Sequence, residues 1–157
     1  MTGAPSPLVR VPPPLLFGAT VALGLLLQRK DPVPLLPHRL LPYTHPAFLV
    51  LLVAGVLLAG SALAAFARRR TTVNPFGRPT ALVTSGPFRW SRNPMYLALT
   101  LVVLSIAIRQ DAAWPAILLL APLLLMHAVV IPHEERVMET LYGEEYCEYC
   151  RRVRRWL

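Results

Sequence analysis

A chain of 157 residues has room for one domain of ordinary size. Hydrophobic residues make up 55% and charged residues only 15%, where a soluble domain carries about 25% charge. Such a chain is too apolar for disorder, and two cysteines are too few for a disulfide scaffold. Its formal charge of +8, from fifteen arginines and the single Lys30 against eight acids, is spread around apolar runs. That placement fits lipid head groups; a nucleic-acid module would need a soluble basic face, so no nucleic-acid partner is expected.

Seventeen prolines punctuate the apolar runs, and the pattern predicts an all-α, polytopic membrane bundle. The first run, Leu15–Leu27, extends without charge back to Val11 and spans only if Pro12-Pro13-Pro14 sits in the interface. Its end, Leu25-Leu26-Leu27-Gln28, offers no small-residue cleavage site, so it is not read as a signal peptide. Ala47–Ala67 and Ala112–Pro132 each supply 21 uncharged residues, enough for the roughly 20 that cross a bilayer. Met95–Ile108 has only 14 and needs bilayer thinning or its flanks. It is expected to pair with the fourth run as a tight antiparallel hairpin across Arg109-Gln110-Asp111. Gly18/Ala22, Gly55/Ala59 and Gly60/Ala64 are candidate close helix contacts, although small residues are common in such helices anyway.

The reading is a single membrane domain over 1–157: two spans in 1–67, a cytoplasmic loop at 68–93, a hairpin at 94–132 and a tail at 133–157. The loop is rich in turn residues, with Asn74-Pro75, Gly77, Pro79 and Ser85-Gly86-Pro87 around one short extended stretch, Ala81-Leu82-Val83. In the tail, Met138, Tyr142, Tyr149, Val153 and Trp156 recur at helical spacing, predicting an amphipathic helix on the cytoplasmic surface, broken near Gly143. With four spans, one side holds twelve Lys or Arg and the other four, which places both termini and the 68–93 loop in the cytoplasm.

No Asp, Glu, Lys or Arg lies inside the last three runs, which argues against a proton relay, ion pathway or transporter. His127 alone is available there and is read first as a hydrogen-bonded packing residue. The polar chemistry sits just before the third run and just after the fourth, and a hairpin brings the two stretches together. In the first, Asn93 suits a helix N-cap and Pro94 the first helical position. The helix start and the adjacent Arg92 then offer an anion site, with Tyr96 one turn along and Gly86 permitting close backbone approach. The same residues would also serve as an ordinary membrane boundary, with snorkelling Arg and an aromatic belt. In the second, Glu134-Glu135 needs a cationic partner, Arg92 or Arg89, or a ligand ammonium; a solvated charged face is the plainer alternative. Cys147 and Cys150 lack a further ligand pair and are read as incidental reduced thiols, so no metal is expected.

Together the stretches resemble the isoprenylcysteine carboxyl methyltransferase and phospholipid methyltransferase superfamily of integral membrane enzymes. The resemblance rests on Gly86-Pro87-Phe88, Arg92-Asn93-Pro94-Met95-Tyr96, Glu134-Glu135 and Tyr142-Gly143-Glu144-Glu145-Tyr146-Cys147-Glu148-Tyr149 with Arg151 and Arg152. It covers about Thr71 to Val153. It departs at Asn93, where members acting on prenylated cysteine commonly carry His, and in the N-terminal part, which has no recognisable motif.

The resemblance implies S-adenosylmethionine as cofactor and a lipophilic or membrane-proximal methyl acceptor: an isoprenylcysteine-like carboxylate, a lipid amine or a thiol. It implies cofactor binding by Gly86, Arg92, Asn93, Pro94, Tyr96, Glu134, Glu135, Tyr146 and Tyr149. Arg92 would orient, and Glu135 would serve as a base. The alternative is a catalytically inactive accessory or assembly protein of the same fold. The sequence sets no oligomeric state.

Overall fold

The computed structural model describes residues 11–70 and 80–157. Arg10, the Asn74-Pro75 turn, Gly77, Arg78 and Pro79 lie outside the described residues. Among those described, every regular element is helical.

Helix α1, Pro13–Lys30, starts on prolines at its first two positions, where a missing N–H costs nothing. A 3₁₀ turn, His38–Tyr43, leads into α2, Thr44–Arg68. Together they make one 31-residue apolar rod, long enough to cross a membrane. Helix α3, Pro94–Arg109, is 16 residues, or about 24 Å at 1.5 Å per residue. The second rod long enough to cross runs from Ala113 to Tyr142. It comprises α4, Ala113–Leu118, α5, Leu120–Leu125, a π turn at Met126–Val130, and α6, Ile131–Tyr142. Its irregularities follow its prolines. Pro122 crowds the Leu118 carbonyl and α4 ends there, while Pro132 crowds the Ala128 carbonyl within the widened turn. After Gly143, at φ +53°, the chain turns into α7, Glu144–Arg152.

The expected hairpin is present. Asp111 turns the chain at φ +46° between α3 and α4. Its carboxylate Oδ1 accepts the N–H groups of Leu35 and Leu36 at 3.0 and 2.9 Å, tying the α1–α2 connection to the hairpin tip. Trp114 Nε1 adds a bond to the Asp31 carbonyl at 2.8 Å. The broadest neighbour of α3, however, is α2 and not its hairpin partner. Gly55 is the reason: a Cβ there would stand 3.1 Å from the Ala98 carbonyl oxygen and from Val102, so the backbones meet closely.

The other small-residue expectations need correction. Among the described residues, nothing lies within 4 Å of where a Cβ would stand at Gly18 or Gly60, so neither glycine makes a close contact. The close contact of α1 is made instead by Gly24, where a Cβ would fall 2.6 Å from Pro115 Cα. Between the ends of α1, α3 and the long rod, Phe17, Tyr96, Val103, Leu119, Met126, Val130 and Ile131 form the main core. The outer faces of α1, α2 and α5 expose Leu23, Leu26, Val53, Leu57, Leu120 and Leu124.

The segment before α3 is ordered by burial without forming a strand. Val83 and Phe88 pack on Ala62 and Ala65 of α2, while Leu82 packs on Tyr146, Tyr149 and Val153. The apolar face of α7 is thus turned onto the protein's own 82–93 segment.

Candidate active site

Three elements converge at one end of the bundle: the turn that opens α3, helix α6, and the returning tail. The turn is built by Ser91, whose hydroxyl accepts the Asn93 N–H at 3.1 Å before α3 begins at Pro94. Asn93 does not cap α3 with its side chain. Its Nδ2 instead donates to the Arg155 carbonyl at 2.9 Å, and the Arg92 N–H donates to the Arg154 carbonyl at 3.0 Å. The tail is therefore bonded to the turn residue by residue.

The two adjacent acids take different partners. Glu135 lies between two arginines: Arg92 at 3.2 Å, and Arg155, which reaches both carboxylate oxygens from Nε at 3.1 Å and Nη2 at 2.5 Å. The forked Arg155 contact is the planar pairing that guanidinium groups favour. Glu134 accepts the Tyr96 hydroxyl at 2.7 Å and forms no ion pair among the described residues. Arg89, the other cation expected at the acids, is exposed and takes neither. Arg92 also donates to the Cys150 thiol, while its Nε is buried with no partner among the described residues. Burial works to lower the Arg92 pKa, but the Glu135 carboxylate and Cys150 outweigh it and the net direction is upward. Burial pushes the hydroxyls of Tyr146 and Tyr149 well above the usual phenol range, so both are donors. Tyr149 spends its proton on the Phe88 carbonyl at 2.8 Å.

Beside these groups lies a cavity of about 420 Å³. Of the residues the sequence nominates, Arg92, Asn93, Pro94, Tyr96, Glu134, Glu135, Tyr146 and Tyr149 all line it. Gly86 does not: it turns the chain at φ +63°, where a Cβ would meet only an ordinary contact with Ala65 of α2 at 3.7 Å. The lining is mostly apolar and includes Phe66, Leu82, Val83, Met95 and Leu99. Pro12, Pro13 and Pro14, expected at a membrane interface, complete the apolar wall. Sequence reasoning misses Arg155 and Cys150 as site residues. Only Arg151 and Arg152 of the basic tail carry a motif, and nothing local marks the later arginine.

A helical hairpin, a guanidinium–carboxylate pair and a mostly apolar cavity thus stand together at one end of the bundle. A family model for phospholipid methyltransferases matches residues 44–145. The chain belongs to that family of membrane methyltransferases, within the isoprenylcysteine and phospholipid methyltransferase superfamily. An uncharacterised protein of Haemophilus influenzae is 34% identical over 65 residues, which is 40% of this chain and the whole of that protein. No solved structure matches.

Proposed function

We propose that the chain is an S-adenosylmethionine-dependent methyltransferase of the membrane, acting on a lipophilic acceptor, with four spans and both termini in the cytoplasm. The observation that carries this reading is Arg92, which lines a cavity of about 420 Å³ while its contacts with Glu135 and Cys150 leave further guanidinium N–H groups unspent. A guanidinium with N–H groups to spare on a cavity wall suits a ligand anion, and the methionine carboxylate of the cofactor fits that requirement. Glu135 retains a lone pair on Oε2 beyond its contacts with Arg155, which suits the cofactor's ammonium. The aromatic rings of Tyr96, Tyr146 and Tyr149 offer walls for the adenine.

When bound, the cofactor supplies an electrophilic methyl group on a sulfonium. The chain's residues have to orient it, hold water out and present the acceptor in line. Arg92 orients and is itself held by Glu135, which Arg155 grips from behind. The apolar wall from Pro12 to Leu99 is suited to an acceptor arriving from the bilayer. The exposed apolar faces of α1, α2 and α5 support a membrane-embedded bundle in which α1 and α3 complete four spans.

The test is calorimetric titration of the detergent-solubilised protein with S-adenosylhomocysteine. Saturable binding, lost at least tenfold in Arg92→Ala, is the expected result. Unchanged affinity in that variant would overturn the assignment of Arg92. Binding without turnover on any lipid, thiol or prenylcysteine acceptor would favour an inactive accessory protein.

A further inference from the structure

We infer that Cys147 and Cys150 form a reversible oxidation site: a hydroperoxide converts the pair to a disulfide, which withdraws Cys150 from Arg92 and lowers the protein's affinity for the methyl donor. The effect on binding rests on the donor reading above; the oxidation itself does not.

By sequence alone the two are thiols without further metal ligands, and the fold gives them a place. The Cys150 sulfur accepts a hydrogen bond from Arg92 and is hydrogen-bonded with Tyr146, and both of those residues line the cavity. Reactive cysteines are partly exposed and sit beside positive charge; half-buried Cys150 meets both conditions. Cys147, also half-buried, stands one turn earlier on α7, within electrostatic reach of the Cys150 sulfur and among Glu139, Glu144 and Arg151. The sequence holds two cysteines, so a disulfide within one chain has one pairing only.

Helix geometry makes that bond a switch. Residues three apart on a helix hold their Cβ atoms about 5–6 Å apart, and a disulfide draws them to about 3.8 Å. The turn that carries Cys150 has to tighten, and its sulfur leaves Arg92 and Tyr146. Cys150 lies in the last turn of α7, and the chain beyond it is bonded to the 91–93 turn through the Arg154 and Arg155 carbonyls. The movement therefore also reaches Arg155, which holds Glu135, the other support of Arg92. A disulfide closed against the spacing of its helix is of the readily reduced kind, and a thiol reductant restores the site.

Oxidation takes two steps. The Cys150 sulfur attacks the hydroperoxide and the O–O bond breaks; one oxygen stays on sulfur as a sulfenic acid, and the other leaves as an alcohol with the Cys150 proton. The Cys147 sulfur then attacks Cys150, the S–S bond forms, the S–O bond breaks, and water leaves with the Cys147 proton. Two thiols and one hydroperoxide become a disulfide, an alcohol and a water.

The experiment exposes the full reduced chain in detergent to graded hydrogen peroxide, with two independent readouts. One is the mass of the tryptic peptide Val137–Arg151, which holds both cysteines; the other is calorimetric affinity for S-adenosylhomocysteine. The peptide is expected to lose the mass of two hydrogens while affinity falls by roughly tenfold or more, and dithiothreitol should restore both. Cys147→Ser should bind S-adenosylhomocysteine as the wild type does before oxidation, and dimedone should then capture its Cys150 as the sulfenic acid. A wild-type peptide that keeps both hydrogens, a disulfide between two chains in place of the internal one, or a complete internal disulfide with unchanged affinity overturns the inference. Failure of the reduced wild type to bind S-adenosylhomocysteine overturns instead the donor reading, and the peptide mass still decides whether the disulfide forms.

Discussion

Tyr96 and Glu134 meet across the α3–α6 hairpin, the phenol hydroxyl donating to the carboxylate at 2.7 Å. They are 38 residues apart in sequence, and their contact shows that the polar stretches flanking the two helices form one site. Tyr96→Phe leaves Glu134 without its donor in a setting that offers no ion-pair partner among the described residues. A hydrogen bond to a charged group is worth about 1.5–3 kcal/mol, so the variant should unfold earlier by that margin in a detergent melt. Tyr96→Phe with an unaltered melting profile would show that the bond contributes nothing to the fold.

Gly24 and Gly18 lie on the same helix with opposite expected tolerance. A Cβ at Gly24 falls 2.6 Å from the Pro115 backbone, which has no flexible end to move aside. Gly24→Ala should separate α1 from α4 and cost about 1–3 kcal/mol by overpacking. Gly18→Ala meets no described atom within 4 Å and should stabilise by about 0.5–1 kcal/mol through helix propensity. Thermal unfolding of the two variants in the same micelle decides the comparison.

Asp111 anchors the far end. Its Oδ1 takes two backbone N–H groups, from Leu35 and Leu36. Asp111→Ala strands both and also places a residue poorly suited to φ +46° at the turn. A loss of about 2 kcal/mol is expected. Asp111→Asn keeps an acceptor oxygen and tolerates that backbone, so it should recover most of the loss. Faster amide exchange at Leu35 and Leu36 in the alanine variant alone would confirm the cause.

Cys150 provides a chemical probe of Arg92 and Tyr146, which line the cavity. It touches Arg92 and is hydrogen-bonded with Tyr146, so an alkyl group on sulfur would wedge the two apart. In a Cys147→Ser background, N-ethylmaleimide should modify Cys150 and abolish S-adenosylhomocysteine binding. Ligand added first should slow the adduct, measured by mass, at least tenfold. Equal labelling with and without ligand would place the ligand elsewhere.

Much of this site can be read from local signals. Asn93-Pro94 marks a helix start, Gly143 a break, and the uncharged lengths of the second and fourth runs mark the two rods long enough to cross a bilayer. Other features depend on rotation and return of the chain, on which local sequence is silent. Gly24 rather than Gly18 seals α1 because the facing angle of a nearly all-apolar helix is set by its neighbours. Arg155 clamps Glu135 because α7 folds back after Gly143, a direction that no residue near Arg155 specifies. Gly86 departs from its expected place for a related reason: its positive φ serves a turn of the chain outside the cavity, and the motif gives no hint of where that turn faces.

The widened turn at Met126–Val130 has a consequence for insertions and deletions. A π turn absorbs a surplus residue locally, so the helix beyond it keeps its angular phase. Shortening the chain by one residue inside this turn should restore ordinary winding and leave both acids aimed as they are. The same one-residue excision in α6 ahead of Glu134 would spin them by about 100° around the rod axis, away from their partners.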